Sequence, residues 1–126
     1  LLVLAGSVGK GGAAVLCGLG AARSGAGLVT IAAPRMLNGV VQVALPEAMT
    51  EVLSFSQHCL SDTDYEQLLS AAQGKEAVAF GPGLGTAEET GQLLRKLYRE
   101  LRQPLVVDAD GLNLLAGEVG KPAAGH

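Results

Sequence analysis

Two hydrophobic periods alternate along this 126-residue chain. Mostly apolar runs of three to six residues, bounded by glycine, proline or polar residues, occupy residues 1–5, 28–33, 76–80 and 105–107. Continuous runs of that length predict strands covered on both faces, as in a parallel sheet. The segments between them have helical spacing. In residues 13–24, Ala13, Ala14, Val15, Leu16, Cys17, Leu19, Ala21 and Ala22 leave almost no polar face, which predicts a deeply packed helix ended by Gly25 and Gly27. Strand, helix and strand over residues 1–33 make a βαβ unit, hence a parallel pair with a crossover.

The middle of the chain predicts a short helix over residues 36–41 and a short strand over 49–53. Ser61 with Asp64 reads as a helix cap, and Tyr65, Leu68, Leu69 and Ala72 follow at i, i+3, i+4 and i+7. Past the strand at 76–80, Thr86 and Glu89 have the spacing of a second capping box. Leu93, Leu94, Leu97, Tyr98 and Leu101 then form an apolar stripe, and Arg95, Lys96, Arg99 and Arg102 suit the dipole at that helix's C-terminal half. Pro104 opens the strand at 105–107, and a short helix is expected over 111–116. The expected fold is a doubly wound α/β domain, its sheet mainly parallel with at least four strands and helices on both faces. No internal linker divides residues 1–126.

Composition narrows the function classes. The 18 glycines are about twice the usual share, and without a repeat or abundant proline they mark turns and close backbone approaches. A net charge of −3 argues against a nucleic-acid surface, which needs a basic stripe. No apolar run approaches the roughly 18–20 residues of a membrane span, and no secretory signal is visible. Cys17 and Cys59 offer neither a disulfide framework nor metal-ligand spacing, so a reduced, cytoplasmic setting is expected, with Cys17 a small core residue. His58 and His126 have no partners at ligand spacing and read as surface residues. The chain begins at Leu1 rather than Met and ends at Gly125-His126 without a closing element, so it reads as a piece of something longer.

Ligands of open parallel sheets bind outside the carboxyl ends of the strands. Three loops of this chain are expected there: residues 6–12, 81–85 and 108–113. Gly81-Pro82-Gly83-Leu84-Gly85, between a strand and a helix, reads either as a purely structural turn or as a place where bare backbone presses against a phosphate. The first loop, Gly6-Ser7-Val8-Gly9-Lys10-Gly11-Gly12, is not a P-loop, because G-x-x-x-x-G-K-[ST] fails and no Ser or Thr follows Lys10. It is a poor dinucleotide fingerprint too, since Ala32-Ala33-Pro34 supplies no acid for the ribose. Lys10 reads equally as a solvated side chain. Asp108 and Asp110 form a spaced carboxylate pair that suits Mg²⁺ through water, a ribose hydroxyl, or, for Asp110, the cap of the following helix. Asn113 reads either as a ligand contact or as an exposed polar residue.

Five segments together resemble the ADP/ATP-dependent NAD(P)H-hydrate dehydratase family, the C-terminal domain of YjeF-type repair proteins. They are Ala5-Gly6-Ser7 with Gly12-Ala13-Ala14; residues 21–30 from Ala21 to Thr30; Pro46-Glu47-Ala48-Met49; residues 81–85; and Asp108-Ala109-Asp110-Gly111-Leu112-Asn113-Leu114-Leu115. The resemblance implies a ribokinase-like fold, of which residues 1–126 are a truncated, N-terminal half. It implies an activity in metabolite repair: damaged, hydrated NADH or NADPH (NADHX, NADPHX) is dehydrated with ATP or ADP and Mg²⁺. The nucleotide phosphorylates the ring hydroxyl, and phosphate then leaves where hydroxide would leave poorly. By position, Ala13, Gly83 and Gly85 would contact the hydrated dinucleotide, with Gly12, Asp108, Asp110 and Asn113 as crevice or metal-water contacts. The resemblance also implies a homo-oligomer, a tetramer.

The family's Thr-Pro-His-Pro-Gly-Glu segment, its Lys-Gly nucleotide segment and its late Gly-x-Gly-Asp with the catalytic aspartate have no counterpart in this sequence. No catalytic residue is therefore assigned here, and this piece alone is expected to be inactive. A ribokinase-like kinase of a vitamin or sugar is the alternative enzyme. A non-catalytic nucleotide-binding or assembly subunit is the alternative from another class.

Overall fold

The computed structural model describes residues 1–117; His126 lies outside them. Five strands form one parallel sheet: β1 (Leu2–Leu4), β2 (Thr30–Ala33), β3 (Met49–Val52), β4 (Val78–Phe80) and β5 (Leu105–Val107). Their order is β3-β2-β1-β4-β5, with Leu4 beside both Ala32 and Phe80, and Phe80 beside Val107. The helices are α1 (Gly11–Arg23), α2 (Asn38–Ala44), α3 (Tyr65–Ala72), α4 (Glu88–Glu100) and α5 (Asp110–Leu115), and 3-10 turns at Arg35–Leu37 and Asp62–Asp64 lead into α2 and α3.

Alternation along each strand divides the core in two. Leu2, Leu4, Val78 and Phe80 meet Leu68, Leu93, Leu94 and Leu97 on the face of α3 and α4. Val3, Ile31 and Ala33 meet Ala14, Leu37 and Val41 on the face of α1 and α2. Period 2 in the strands sends neighbours to opposite faces, and the helical stripe of α4 supplies the larger half of the core.

Several sequence expectations are corrected. The first helix starts at Gly11 instead of residue 13, and it is not deeply packed: only Ala14 and Gly18 are buried, and Leu16 is 70% exposed. A helix lying on one sheet face buries only the stripe that meets the sheet, and an all-apolar sequence cannot show which stripe that is. The second and fourth strands begin two residues later than expected, at Thr30 and Val78, leaving Leu28 exposed.

Neither capping box forms. The N-cap residues Ser61 and Ala87 make no side-chain cap bond. Asp64 instead accepts the Phe55 and Ser56 amides, and Glu89 accepts the Cys59 thiol. Longer-range partners win both carboxylates. Cys17 is half-buried at the margin of its cluster. Among the described residues no helix is long and apolar enough to cross a membrane.

Candidate functional site

The chain leaves β1 toward β2 and β3 on one side and returns to β4 on the other, so the direction of winding reverses between β1 and β4. The loops leaving two adjacent strands part there and open a crevice. Those loops are residues 5–10 after β1 and 81–87 after β4. They are tied together, for the Gly6 amide donates to the Pro82 carbonyl at 2.9 Å and Ser7 Oγ donates to the Gly83 carbonyl at 2.7 Å.

Gly83 is the closest approach. Its φ of +67° is left-handed, and a Cβ on it would stand 2.6 Å from the Ala13 Cβ and 3.0 Å from the Lys10 carbonyl oxygen. The Gly-Pro-Gly turn therefore lies against the first turn of α1 with no room for a side chain. That helix start carries no acidic residue and no side-chain cap; the Ala13 amide donates to the Lys10 carbonyl at 3.2 Å, and the partial positive charge of the helix end faces the rim. Gly85 differs: a Cβ there would meet only Ser7 Oγ, at 3.8 Å, and otherwise open space.

The third loop joins through the backbone and one carboxylate. The Asp108 amide donates to the Phe80 carbonyl at 3.1 Å, which seats the end of β5 beside the glycine turn. Ala109 has φ +49° and ψ −122°, a costly conformation for a residue with a Cβ. It turns the chain so that Asp110 Oδ2 accepts the Gly85 amide at 2.8 Å and lies 3.6 Å from Lys10 Nζ. Of the roles open to Asp110 from sequence, the helix cap is not taken; it is the first residue of α5, and its carboxylate reaches across to the other two loops.

Of the candidates named from sequence, Gly12, Ala13, Gly83, Gly85, Asp108 and Asp110 come together at this carboxyl edge. Asn113 lies one turn into α5 and is exposed. Lys10, read from sequence as a solvated side chain, and Ser7, given no role of its own, also join the site; their partners are so distant along the chain that no local signal marks the contacts. A fourth segment also reaches the rim: the His58 carbonyl accepts the Val8 amide at 2.9 Å, although the His58 side chain is exposed. Cys17 is close enough for Asp108 to matter, as burial first and the Asp108 charge second push its thiol up. The opposite, amino edge has an open depression of about 510 Å³ around Leu1, Gly27, Lys75 and Glu76, which gathers none of these candidates.

The defining pattern of NAD(P)H-hydrate dehydratases matches residues 1–124. The chain belongs to the NAD(P)H-hydrate dehydratase family. The bifunctional NAD(P)H-hydrate repair enzyme Nnr of Salinibacter ruber is 38% identical over 124 residues, which are 97% of this chain and 23% of that protein. Among solved structures, the ADP/ATP-dependent NAD(P)H-hydrate dehydratase of Bacillus subtilis, co-crystallised with ATP/Mg²⁺ and soaked with CoA, superposes with a TM-score of 0.67 at 31% identity. The match covers 88% of this chain and 38% of that one. A ribokinase-like superfamily protein of Enterococcus faecalis gives 0.74 at 24% identity over 93% of this chain and 39% of its own, a likeness of fold. The chain thus spans less than half the length of each of these relatives, and its sheet is a partial ribokinase-like domain.

Proposed function

We propose that the protein carrying this chain restores NADH or NADPH from the hydrated forms NADHX or NADPHX, using ATP or ADP. The observation that carries this reading is the seating of the Gly81–Gly85 turn on the first turn of α1, at the point where the sheet's winding reverses. Family membership and the names of its relatives give that crevice its substrate class. In this reading Ala13, Gly83 and Gly85 present small side chains or bare backbone to the dinucleotide, with Gly12 and Asp108 beside them, while Asn113, exposed one turn into α5, stands apart. Residues 1–126 are read as part of one ribokinase-like domain.

The nucleotide, when bound, supplies the phosphoryl group that turns the ring hydroxyl into a good leaving group. The part of this chain is binding and orientation: the α1 amides and Lys10 offset phosphate charge, and the glycine turn excludes side chains from the dinucleotide's path. For Mg²⁺, an ion commonly held by one or two carboxylates with waters and substrate phosphates, the described residues form no all-protein site. No group of three or more His, Cys, Asp or Glu able to hold a metal exists among the described residues, and the Asp110 carboxylate already serves Gly85 and Lys10. No step of this reading runs through a metal held by these residues. A homo-oligomer belongs to the same reading, and sedimentation of the intact protein tests it.

The decisive assay gives the intact protein hydrated NADH with ATP or ADP and follows the absorbance of the reduced nicotinamide. Recovery of absorbance with nucleotide consumed in equal amount is the expected result. No recovery overturns the proposal, and a stable phosphorylated alcohol accumulating in its place favours a ribokinase-like kinase.

A further inference from the structure

We infer that Asp110 is a positioning residue for the dinucleotide crevice, acting through the Gly85 amide and the Lys10 ammonium. The inference rests on the dehydratase reading and adds to it the device that holds the crevice in shape. One atom, Asp110 Oδ2, accepts the Gly85 N–H at 2.8 Å and faces Lys10 Nζ at 3.6 Å. It thereby joins all three loops, since Gly85 ends the glycine turn, Lys10 precedes α1, and Asp110 opens α5.

Burial makes the roles unequal. The Asp110 side chain is 19% exposed and that of Lys10 is 53% exposed, so the acid is the fixed member and the lysine the adjustable one. The acid is fixed from behind as well. Ala109, with φ +49°, is held in a conformation that persists only where the surroundings over-determine it, and the Gly111 amide donates to the Asp108 carbonyl at 2.9 Å. A bare carboxylate at this rim would repel the phosphates of a dinucleotide. Paired with Lys10 that repulsion is offset, and the half-exposed ammonium remains able to meet a phosphate at the rim.

The test uses the intact protein with D110A and D110N. D110A removes both contacts, whereas the amide oxygen of D110N still accepts the Gly85 N–H and loses only the charge. D110A is expected to raise the KM for hydrated NADH on the order of tenfold, with kcat and the KM for ATP changed less than about twofold. D110N is expected to recover part of that loss. Hydrogen exchange at the Gly85 amide is an activity-free readout, faster in D110A and close to wild type in D110N.

An unchanged KM in folded D110A, a loss confined to kcat, or equal impairment in both variants with unaltered Gly85 exchange overturns the inference. Wild-type protein without turnover overturns the dehydratase reading instead. Gly85 exchange then decides the positioning claim alone: acceleration in D110A upholds it and no change overturns it. Should D110A fail to fold, K10Q takes its place, with a KM rise on the order of threefold expected and an unchanged KM overturning the inference.

Discussion

The Asp108 carbonyl oxygen occupies the place that a side chain on Gly81 would need. A Cβ built on Gly81 would stand 1.8 Å from that oxygen, and the Gly81 φ of +131° is one that L side chains rarely adopt. The clash is with backbone, and that backbone also receives the Gly111 amide, so it cannot yield cheaply. Gly81→Ala is therefore expected to cost about 3 kcal/mol or more, from overpacking and backbone strain together. Urea unfolding measures this. A loss below about 1 kcal/mol would show that the ends of β4 and β5 are not held this close.

Gly85 separates ligand contact from stability, because its Cβ direction is nearly open. Gly85→Val in the intact protein should raise the KM for hydrated NADH on the order of tenfold, since the new side chain projects into the crevice. A modest stability loss of about 1–2 kcal/mol is expected alongside, from the left-handed φ of +80°. Steady-state kinetics and a thermal melt report the two effects separately. An unchanged KM in folded protein counts against Gly85 as a substrate contact.

The strands and the order of elements were legible because continuous apolar runs such as Leu2–Leu4 and Val78–Phe80 have little choice except a sheet buried on both faces. Convergence of the three loops then followed from parallel topology. The polar detail was not legible in the same way. Glu89, Asp64 and Asp110 each sit at a position where local rules favour a helix cap, and each is drawn to a partner brought close only by the tertiary fold. Cap preferences are worth about 1 kcal/mol, and a charged hydrogen bond to an amide, as at Asp64 and Asp110, competes on equal or better terms. Exposure of Leu16 on α1 was hidden for another reason: a helix apolar all round carries no sign of its outer face.

Asp64 is a fully buried carboxylate outside the crevice. It is 1% exposed and accepts the Phe55 amide at 3.1 Å and the Ser56 amide at 2.6 Å, which fixes the segment leading to His58 and the rim. Asp64→Ala leaves two amides without an acceptor and should cost about 3 kcal/mol, whereas Asp64→Asn, able to satisfy one of them, should cost about half as much. Denaturant midpoints at neutral pH decide it. Equal costs for the two variants would mean that the loop is held by its shape and not by these bonds.

Cys59 gives a pH-dependent prediction whose sign follows from its surroundings. Burial is the first cause raising its thiol above the ordinary range, and the hydrogen bond to Glu89 and the Glu89 charge add to it, opposed by Thr90. The thiol donates to Glu89 Oε1 at 3.0 Å, a contact that favours the protonated form. A raised thiol holds less thiolate at a given pH, and thiolate is the nucleophile. Iodoacetamide labelling of Cys59, followed by peptide mass, should therefore rise with pH along a curve displaced upward from that of a free thiol. Glu89→Gln moves the curve back toward lower pH and speeds labelling at pH 8 on the order of threefold. Equal rates in wild type and Glu89→Gln would show that Glu89 does not hold the proton on that sulfur.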